Sequence, residues 1–381
     1  MKIAIVLLGR YPTDKAYGVT TNATINCLLN SGHEVYVYSF APNKPNNYKN
    51  DFHTKLFVEK LPSRILRSVF SKSNRLLGKI SWFLYVRKYL NWVKYDCRNS
   101  KYDLIWARNY EVFHALYSTA NKFTIELHSI PNKKQLEVLN NCQENLLIAP
   151  ISKKILNALE NFCGHMVFSP MGINENQIMN VSVLKSYVQG LRMKLLTNSH
   201  LEFVYIGKLF PGGVSKGVEI LIDIARYAKI LDKKILLKIV GGDSSEVDKF
   251  NKLIKVNNLE NYFLLMGQMV HEKAFNELKN ADIVILTKSK DLKYSGFPLK
   301  AVEALASGKL TLVESSEIYR DIFEKNAFVS WFDENNIEDI FFNINKEIID
   351  KNFESKLIMN INYAKNFTWE KRTRNIVCHF S

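Results

Sequence analysis

Ile283-Val284-Ile285-Leu286-Thr287 leads through a polar segment, Lys288 to Tyr294, into Ser295-Gly296-Phe297-Pro298-Leu299-Lys300-Ala301-Val302-Glu303-Ala304-Leu305-Ala306-Ser307-Gly308. The first five residues are apolar and mostly β-branched, the pattern of a strand buried on both faces of a parallel sheet. Ser295 reads as an N-cap and Pro298 fits a first helical turn, where a missing N–H costs nothing. The helix then runs from Leu299 to Ser307 and stops at Gly308, which suits a left-handed cap. A strand, a loop and a helix in this order place backbone N–H groups at the carboxyl edge of a sheet, where an anion is best held.

The pattern Gly296 to Gly308 resembles the donor-site signature of retaining GT-B glycosyltransferases of the group-1 (family 4) class. That class carries Glu-x7-Glu, the second Glu touching the donor ribose and the first lying near the transferred sugar. Glu303 matches the second, and Ser295 stands in the place of the first. The departure leaves the nucleotide contact intact and bears on the sugar-ring contact.

Outward from this stretch, Phe203-Val204-Tyr205-Ile206-Gly207-Lys208-Leu209 reads as a strand and a glycine turn, and Lys216-Gly217-Val218-Glu219-Ile220-Leu221 as the start of a helix. A cation at each end of this loop suits a diphosphate, by charge and by ammonium hydrogen bonds. The resemblance implies that Lys208 and Lys216 grip the donor diphosphate beside Gly207. Lysine where the family more often has arginine at 208 keeps the charge and gives up the bidentate fork. Two solvated surface lysines are the bland alternative. Tyr262 to Gln268 reads as another strand, and its loop Gln268-Met269-Val270 resembles the nucleobase-binding segment. By the same resemblance Gly296, Phe297, Pro298, Leu299 and Glu303 contact the donor.

At the other end of the chain, Lys2–Leu8, a loop, a helix reaching Gly32 and the strand Glu34–Tyr38 make one βαβ unit. The first turn lacks the G-x-G-x-x-G of dinucleotide folds. Its loop ends at Gly18, which resembles the family's loop glycine that admits donor phosphates; a simple turn glycine is the alternative. Tyr102–Arg108 and Phe123–His128 read as strands. The Glu-x-His ending of the second resembles the family strand whose His lies near the transferred sugar, which makes His128 a candidate for a hydroxyl or phosphate contact. A structural histidine is the alternative. His128, Lys208, Lys216 and Ser295 are thus the catalytic candidates.

Length and composition set the frame. At 381 residues the chain suggests two domains, and 47% hydrophobic with 23% charged residues is ordinary for a soluble globular protein. Met1 leads directly into a strand with no signal peptide, and no apolar run reaches a membrane-spanning length. Five cysteines without CxxC or metal-ligand spacing suggest reduced thiols, a cytoplasmic setting and no catalytic metal. Net charge is +15, which calls for an anionic partner. Between Lys60 and Lys101 eleven Lys or Arg face one acid, Asp96, with Phe70, Trp82, Phe83, Tyr85, Tyr89, Trp92 and Tyr95 interleaved. Such a mixture suits a surface resting on an anionic bilayer. A solvated basic face with aromatics packed inward is the alternative; no nucleic-acid motif is present.

The expected fold is therefore GT-B, α/β, with two Rossmann-like domains facing each other across a cleft. Residues 1–172 with 366–381 form an acceptor-binding domain, 173–200 a linker with an accessory helix, and 201–365 the nucleotide-sugar domain. The function implied is a retaining, metal-independent glycosyltransferase that needs no cofactor beyond its nucleotide-diphosphate sugar. Its acceptor is a glycan or lipid-linked glycan, in bacterial lipopolysaccharide or capsule assembly at the inner face of the cell membrane. A nucleotide-sugar 2-epimerase and a non-catalytic GT-B partner subunit are the alternatives.

Overall fold

In the computed structural model, residues 1–13, 16–41, 52–58, 75–142, 144–290, 296–323 and 327–380 are described. The chain divides into two units, Met1–Pro170 with Arg372–Ser381, and Met171–Lys371.

In the first unit the apolar runs pair into a parallel sheet of β1 (Lys2–Arg10), β2 (Glu34–Phe40), β3 (His53–Phe57), β4 (Leu104–Ala107), β5 (Phe123–Leu127), β6 (Leu146–Pro150) and β7 (His165–Met166). Their order is β3-β2-β1-β4-β5-β6-β7. Strands β4, β5 and β6 are buried along their whole length, as continuous apolar runs under helices on both faces should be. Ile3, Ile5, Leu104 and Trp106 form one side of the core, joined by Ile376 from the helix Trp369–Cys378.

The second unit repeats the plan with β8 (Leu201–Ile206), β9 (Ile235–Val240), β10 (Phe263–Gly267), β11 (Ile283–Leu286), β12 (Leu310–Glu314) and β13 (Ser330–Phe332), in the order β10-β9-β8-β11-β12-β13. All pairings in this sheet are parallel. Both sheets therefore have the doubly wound Rossmann order, in which the winding reverses between the first and fourth strands. Ligands bind at the carboxyl ends of the strands beside that reversal. In the first unit this point lies between β1 and β4, and in the second between β8 and β11.

Residues 173–200, set apart above as linker and accessory helix, lie within the second unit. The helix Leu184–Leu196 packs Leu184, Val188 and Leu191 into the same core as Phe203 and Ile283. Those three are spaced four and three residues apart, which puts them on one helical face.

The basic, aromatic stretch falls partly on residues 59–74, which are outside the described residues. Its described part is the helix Arg75–Ser100. Tyr89, Val93 and Cys97 are buried. Tyr85, Tyr89 and Trp92 pack against Phe57, and Asp96 pairs with Lys55. Phe83 and Tyr95 are 63% and 72% exposed, and Ile80, Trp82 and Leu84 also face outward. Inward-packed and outward-facing aromatics thus coexist on one helix. Among the described residues no helix is long and apolar enough to cross a membrane.

Candidate functional site

The stretch around Glu303 folds largely along the pattern of its residues. β11 ends at Leu286, the helix runs Leu299–Ala306, and Gly308 closes it at φ +62°. One feature differs. The N-cap is Pro298, in extended backbone, and not Ser295. A proline restricts the residue before it to extended conformations, so the helix cannot start further upstream. Ser295 itself lies outside the described residues.

At the β8–β11 reversal the chain builds a pocket of about 400 Å³. Gly207, Lys208 and Lys216 line it from the β8 side, Thr287, Lys288 and Ser289 from the end of β11, and Pro298, Leu299 and Lys300 from the following helix. Its loop is held from below. The Tyr205 hydroxyl donates to the Lys208 carbonyl at 2.8 Å, and the Thr287 hydroxyl donates to the Lys216 carbonyl at 2.6 Å. The backbone N–H groups of Leu209 and Phe210 donate to the buried Glu246 carboxylate, which also closes a capping box with Asp243. Both lysines are thus mounted on backbone fixed by hydrogen bonds, and their stems carry the remaining freedom.

Two glycines make the loop possible. Gly241, at φ +122°, passes so close to Gly207 that a Cβ there meets the Gly207 carbonyl oxygen at 2.2 Å. Gly217, at φ +79°, passes equally close to the Lys288 carbonyl. Only a residue without a side chain fits either position.

Among the described residues, four lysines line the pocket, residues 208, 216, 288 and 300, and no Asp or Glu does. Lys288 is neutralised outside it by Glu314 at 3.2 Å. Lys216 Nζ donates to the Ser289 hydroxyl at 3.1 Å. Lys300 sits in the first turn of its helix with Nζ 4.9 Å from the Tyr205 ring centroid. Burial, and then the neighbouring Lys216, push its ammonium down to about 8. An excess of positive charge at a helix N-terminus is the signature of an anion site.

Glu303, Gln268, Met269, Val270, Gly296 and Phe297 do not line this pocket. Glu303, on the same helix, is buried, and its Oε1 lies 2.6 Å from Nε2 of His271. That hydrogen bond raises the His271 imidazole above its ordinary range. Gln268, Met269 and Val270 join β10 to the helix His271–Asn280, with Val270 as its N-cap. Gly296 is half-buried, and Phe297 is buried with its ring 5.9 Å from that of Phe367.

Gly18 and His128 belong to the first unit. Gly18 is not the end of a loop: it is the third residue of the helix Ala16–Asn30. A Cβ there meets the Thr13 carbonyl oxygen at 2.0 Å, so its lack of a side chain serves the approach of the preceding loop to the helix. His128, just past β5, enters a buried cluster. Its Nε2 lies 3.0 Å from Glu126 Oε2 and accepts from Arg108 Nε at 3.0 Å in the alternative tautomer. Glu126 also meets Arg372 at 3.0 Å and accepts from Trp106 Nε1 at 2.7 Å. Burial opposes the Glu126 charge, but Arg372 and Arg108 hold its carboxyl well below the usual range. Burial, and then Arg108, lower the His128 imidazole, which is neutral near pH 7. Two guanidinium groups around one carboxylate leave the cluster one positive charge in excess. Arg108 reaches on to the Thr20 hydroxyl at 2.9 Å.

Arg108, His271 and Arg372 are site-forming residues that motif reading passes over, whereas Glu126 and Lys300 stand inside the quoted motifs without a role of their own there. Lys300 carried a further local signal, a cation in the first turn of a helix, where an acid is the stabilising choice. Among the described residues no cluster of three His, Cys, Asp or Glu is arranged to hold a metal ion. Five cysteines are free thiols, two of them buried.

Residues 194–365 match the family model described as glycosyl transferases group 1. Comparison with curated protein sequences gives no match. Among solved structures, the chain is similar over 100% of its length to sucrose-phosphate synthase from Thermosynechococcus elongatus (98% of that chain, 16% identity, TM-score 0.67). It is similar over the same share to Anabaena Alr3699/HepE in complex with UDP and glucose (99% of that chain, 17% identity, TM-score 0.66). A third likeness, over 99% of this chain and 98% of the other, is to the lipopolysaccharide outer core galactosyltransferase WaaB (14% identity, TM-score 0.63). At these identities the likenesses establish the fold, which is that of the GT-B glycosyltransferases.

Proposed function

We propose that this chain, a GT-B glycosyltransferase with its group 1 match over residues 194–365, is a retaining, metal-independent enzyme. It moves a sugar from a nucleotide diphosphate to a glycan or lipid-linked acceptor during assembly of a bacterial surface polysaccharide. The observation that carries this reading is the pocket at the β8–β11 reversal, lined among the described residues by four lysines and no carboxylate, within the matched segment. Its volume and charge suit a diphosphate.

Catalysis on this reading is leaving-group stabilisation. As the bond from the anomeric carbon to the diphosphate breaks, negative charge grows on the phosphate oxygens. Lys208, Lys216 and the N-terminus of the helix Leu299–Ala306 face that charge with little reorganisation, which is where such fixed electrostatics acts most strongly. Lysine ammonium groups supply the neutralisation that other transferases take from a divalent ion. Glu303, oriented by His271, accepts from the ribose hydroxyls. The acceptor attacks from the face the diphosphate leaves. The UDP and glucose named with the HepE structure, and the lipopolysaccharide outer core named with WaaB, support the donor and acceptor classes.

The exposed face of the helix Arg75–Ser100 supports a resting place on an anionic bilayer at the cytoplasmic side, where a lipid-linked acceptor would be met. Trp82, Phe83 and Leu84 supply the apolar contact, and Arg87 and Arg98 the charge.

The test is transfer itself. Purified protein, a panel of nucleotide-diphosphate sugars and a bacterial lipid extract should yield one glycosylated lipid, its new linkage having the donor's anomeric configuration. Lys208→Ala and Lys216→Ala should each lose most of that activity. Full activity in either variant, or an inverted linkage, overturns the proposal.

A further inference from the structure

The donor pocket carries more positive charge than two grips require, and Lys300 is the source. It follows Leu299 in the first turn of its helix, where the positive end of the backbone dipole already disfavours a cation. It lines the same pocket as Lys208 and Lys216. Among the described residues it pairs with no carboxylate, and its one close contact is the face of Tyr205, 4.9 Å away. An isolated cation at such a place is costly in the free protein, and an arriving anion relieves the cost.

We propose that Lys300 is a third phosphate-binding cation, which makes the pocket selective for a diphosphate over a monophosphate. This inference rests on the donor-site reading and deepens it. A monophosphate can be served by the two lysines of the β8 loop. The third lysine comes from a different element, the helix after β11, and supplies the added charge that a second phosphate matches.

The same geometry couples binding to a proton. Lys216 from the β8 loop opposes the Lys300 charge, whereas Glu314 on β12 and Glu303 on its own helix favour it; Lys208 and Lys288 line the same pocket, and burial raises the Tyr205 phenol, which is neutral. The balance leaves Lys300 titrating near 8, so the free protein is partly deprotonated there, and a bound diphosphate draws the proton back.

Calorimetric titration with UDP, GDP and ADP and their monophosphates tests this, in two buffers of different ionisation enthalpy and from pH 7 to pH 9. One diphosphate should bind wild-type protein with uptake of about half a proton at pH 8, and about tenfold more weakly at pH 9 than at pH 7. Lys300→Met should cut the preference for that diphosphate over its monophosphate by roughly tenfold. Lys300→Arg should keep the preference and lose the proton uptake, because a guanidinium stays charged throughout. If a diphosphate binds and Lys300→Met leaves both preference and proton uptake unchanged, the inference is overturned and the donor site stands. If no diphosphate binds the wild-type protein, the donor-site reading and this inference fall together.

Discussion

Nε2 of His271 lies 2.6 Å from Oε1 of Glu303, joining the first residue of one helix to the middle of another 32 residues further along the chain. Glu303 is buried and His271 is half-buried. An imidazolium at a helix N-terminus is disfavoured by the backbone dipole, so the carboxylate is what holds the proton there. The pair engages one carboxylate oxygen, Oε1.

The pair makes stability depend on pH. The imidazole's folded pKa is raised above its ordinary 6.5 by the hydrogen bond to Glu303. A group shifted upward contributes stability that is complete below the unfolded pKa and is lost as pH rises through the folded one. Wild-type protein should therefore melt higher than His271→Gln at pH 6, and the gap should close above the folded pKa. A gap of equal size at pH 6 and pH 9 contradicts this.

Glu126 is the counter-charge of the first unit's buried cluster, with Arg108 and Arg372 each within 3.3 Å. Glu126→Gln keeps the shape and leaves two buried guanidinium groups without it. Breaking such a buried arrangement costs about 3–5 kcal/mol, which urea unfolding should register as a lower midpoint. Because the Glu126 carboxyl titrates well below the usual range, its contribution is present above about pH 4.5 and is lost as pH falls through the folded value. A variant as stable as wild type at pH 7 removes this role.

Gly217→Ala should damage the donor pocket from beneath. The new Cβ would stand 2.2 Å from the Lys288 carbonyl oxygen at a φ of +79°. The expected loss is more than about 1 kcal/mol of stability, with nucleotide binding weakened because Lys216 and Lys288 are displaced together. Unchanged nucleotide affinity in this variant separates the loop from the site.

Vesicle flotation tests the membrane surface. Wild-type protein should float with vesicles containing anionic phospholipid and not with neutral ones, and less so at high salt. Phe83→Ser with Leu84→Ser should abolish flotation and leave nucleotide binding unchanged. Equal flotation of the double variant assigns the attachment elsewhere.

Strands such as β4 and β11 were legible because they are buried on both faces and read as unbroken apolar runs, while the expectation of two Rossmann-like domains came from the resemblance carried by the stretch around Glu303. The strand and helix around Glu303 were legible for the same reason. β7 and β13, at 2 and 3 residues, are too short to carry a pattern. The helix Leu184–Leu196 is hidden among polar residues, although its buried face repeats at helical spacing. Gly18 could be recognised as necessary, but its place in a helix depends on how Thr13 packs against it. His271, Arg108 and Arg372 meet their partners only through tertiary packing, and no local spacing announces such pairs. Lys300 was visible inside the motif, and what identifies it is the combination of its position in the first turn with two other lysines across the pocket.

The central claim is that the second unit's lysine-lined pocket holds the donor diphosphate, and thermal unfolding in the presence of nucleotide-diphosphate sugars tests it most directly. A ligand that binds only the native state must raise the melting temperature. One nucleotide should raise it for wild-type protein, and the shift should vanish in Lys216→Ala. A shift retained in full by Lys216→Ala, or no shift with any nucleotide in folded protein, would contradict the account.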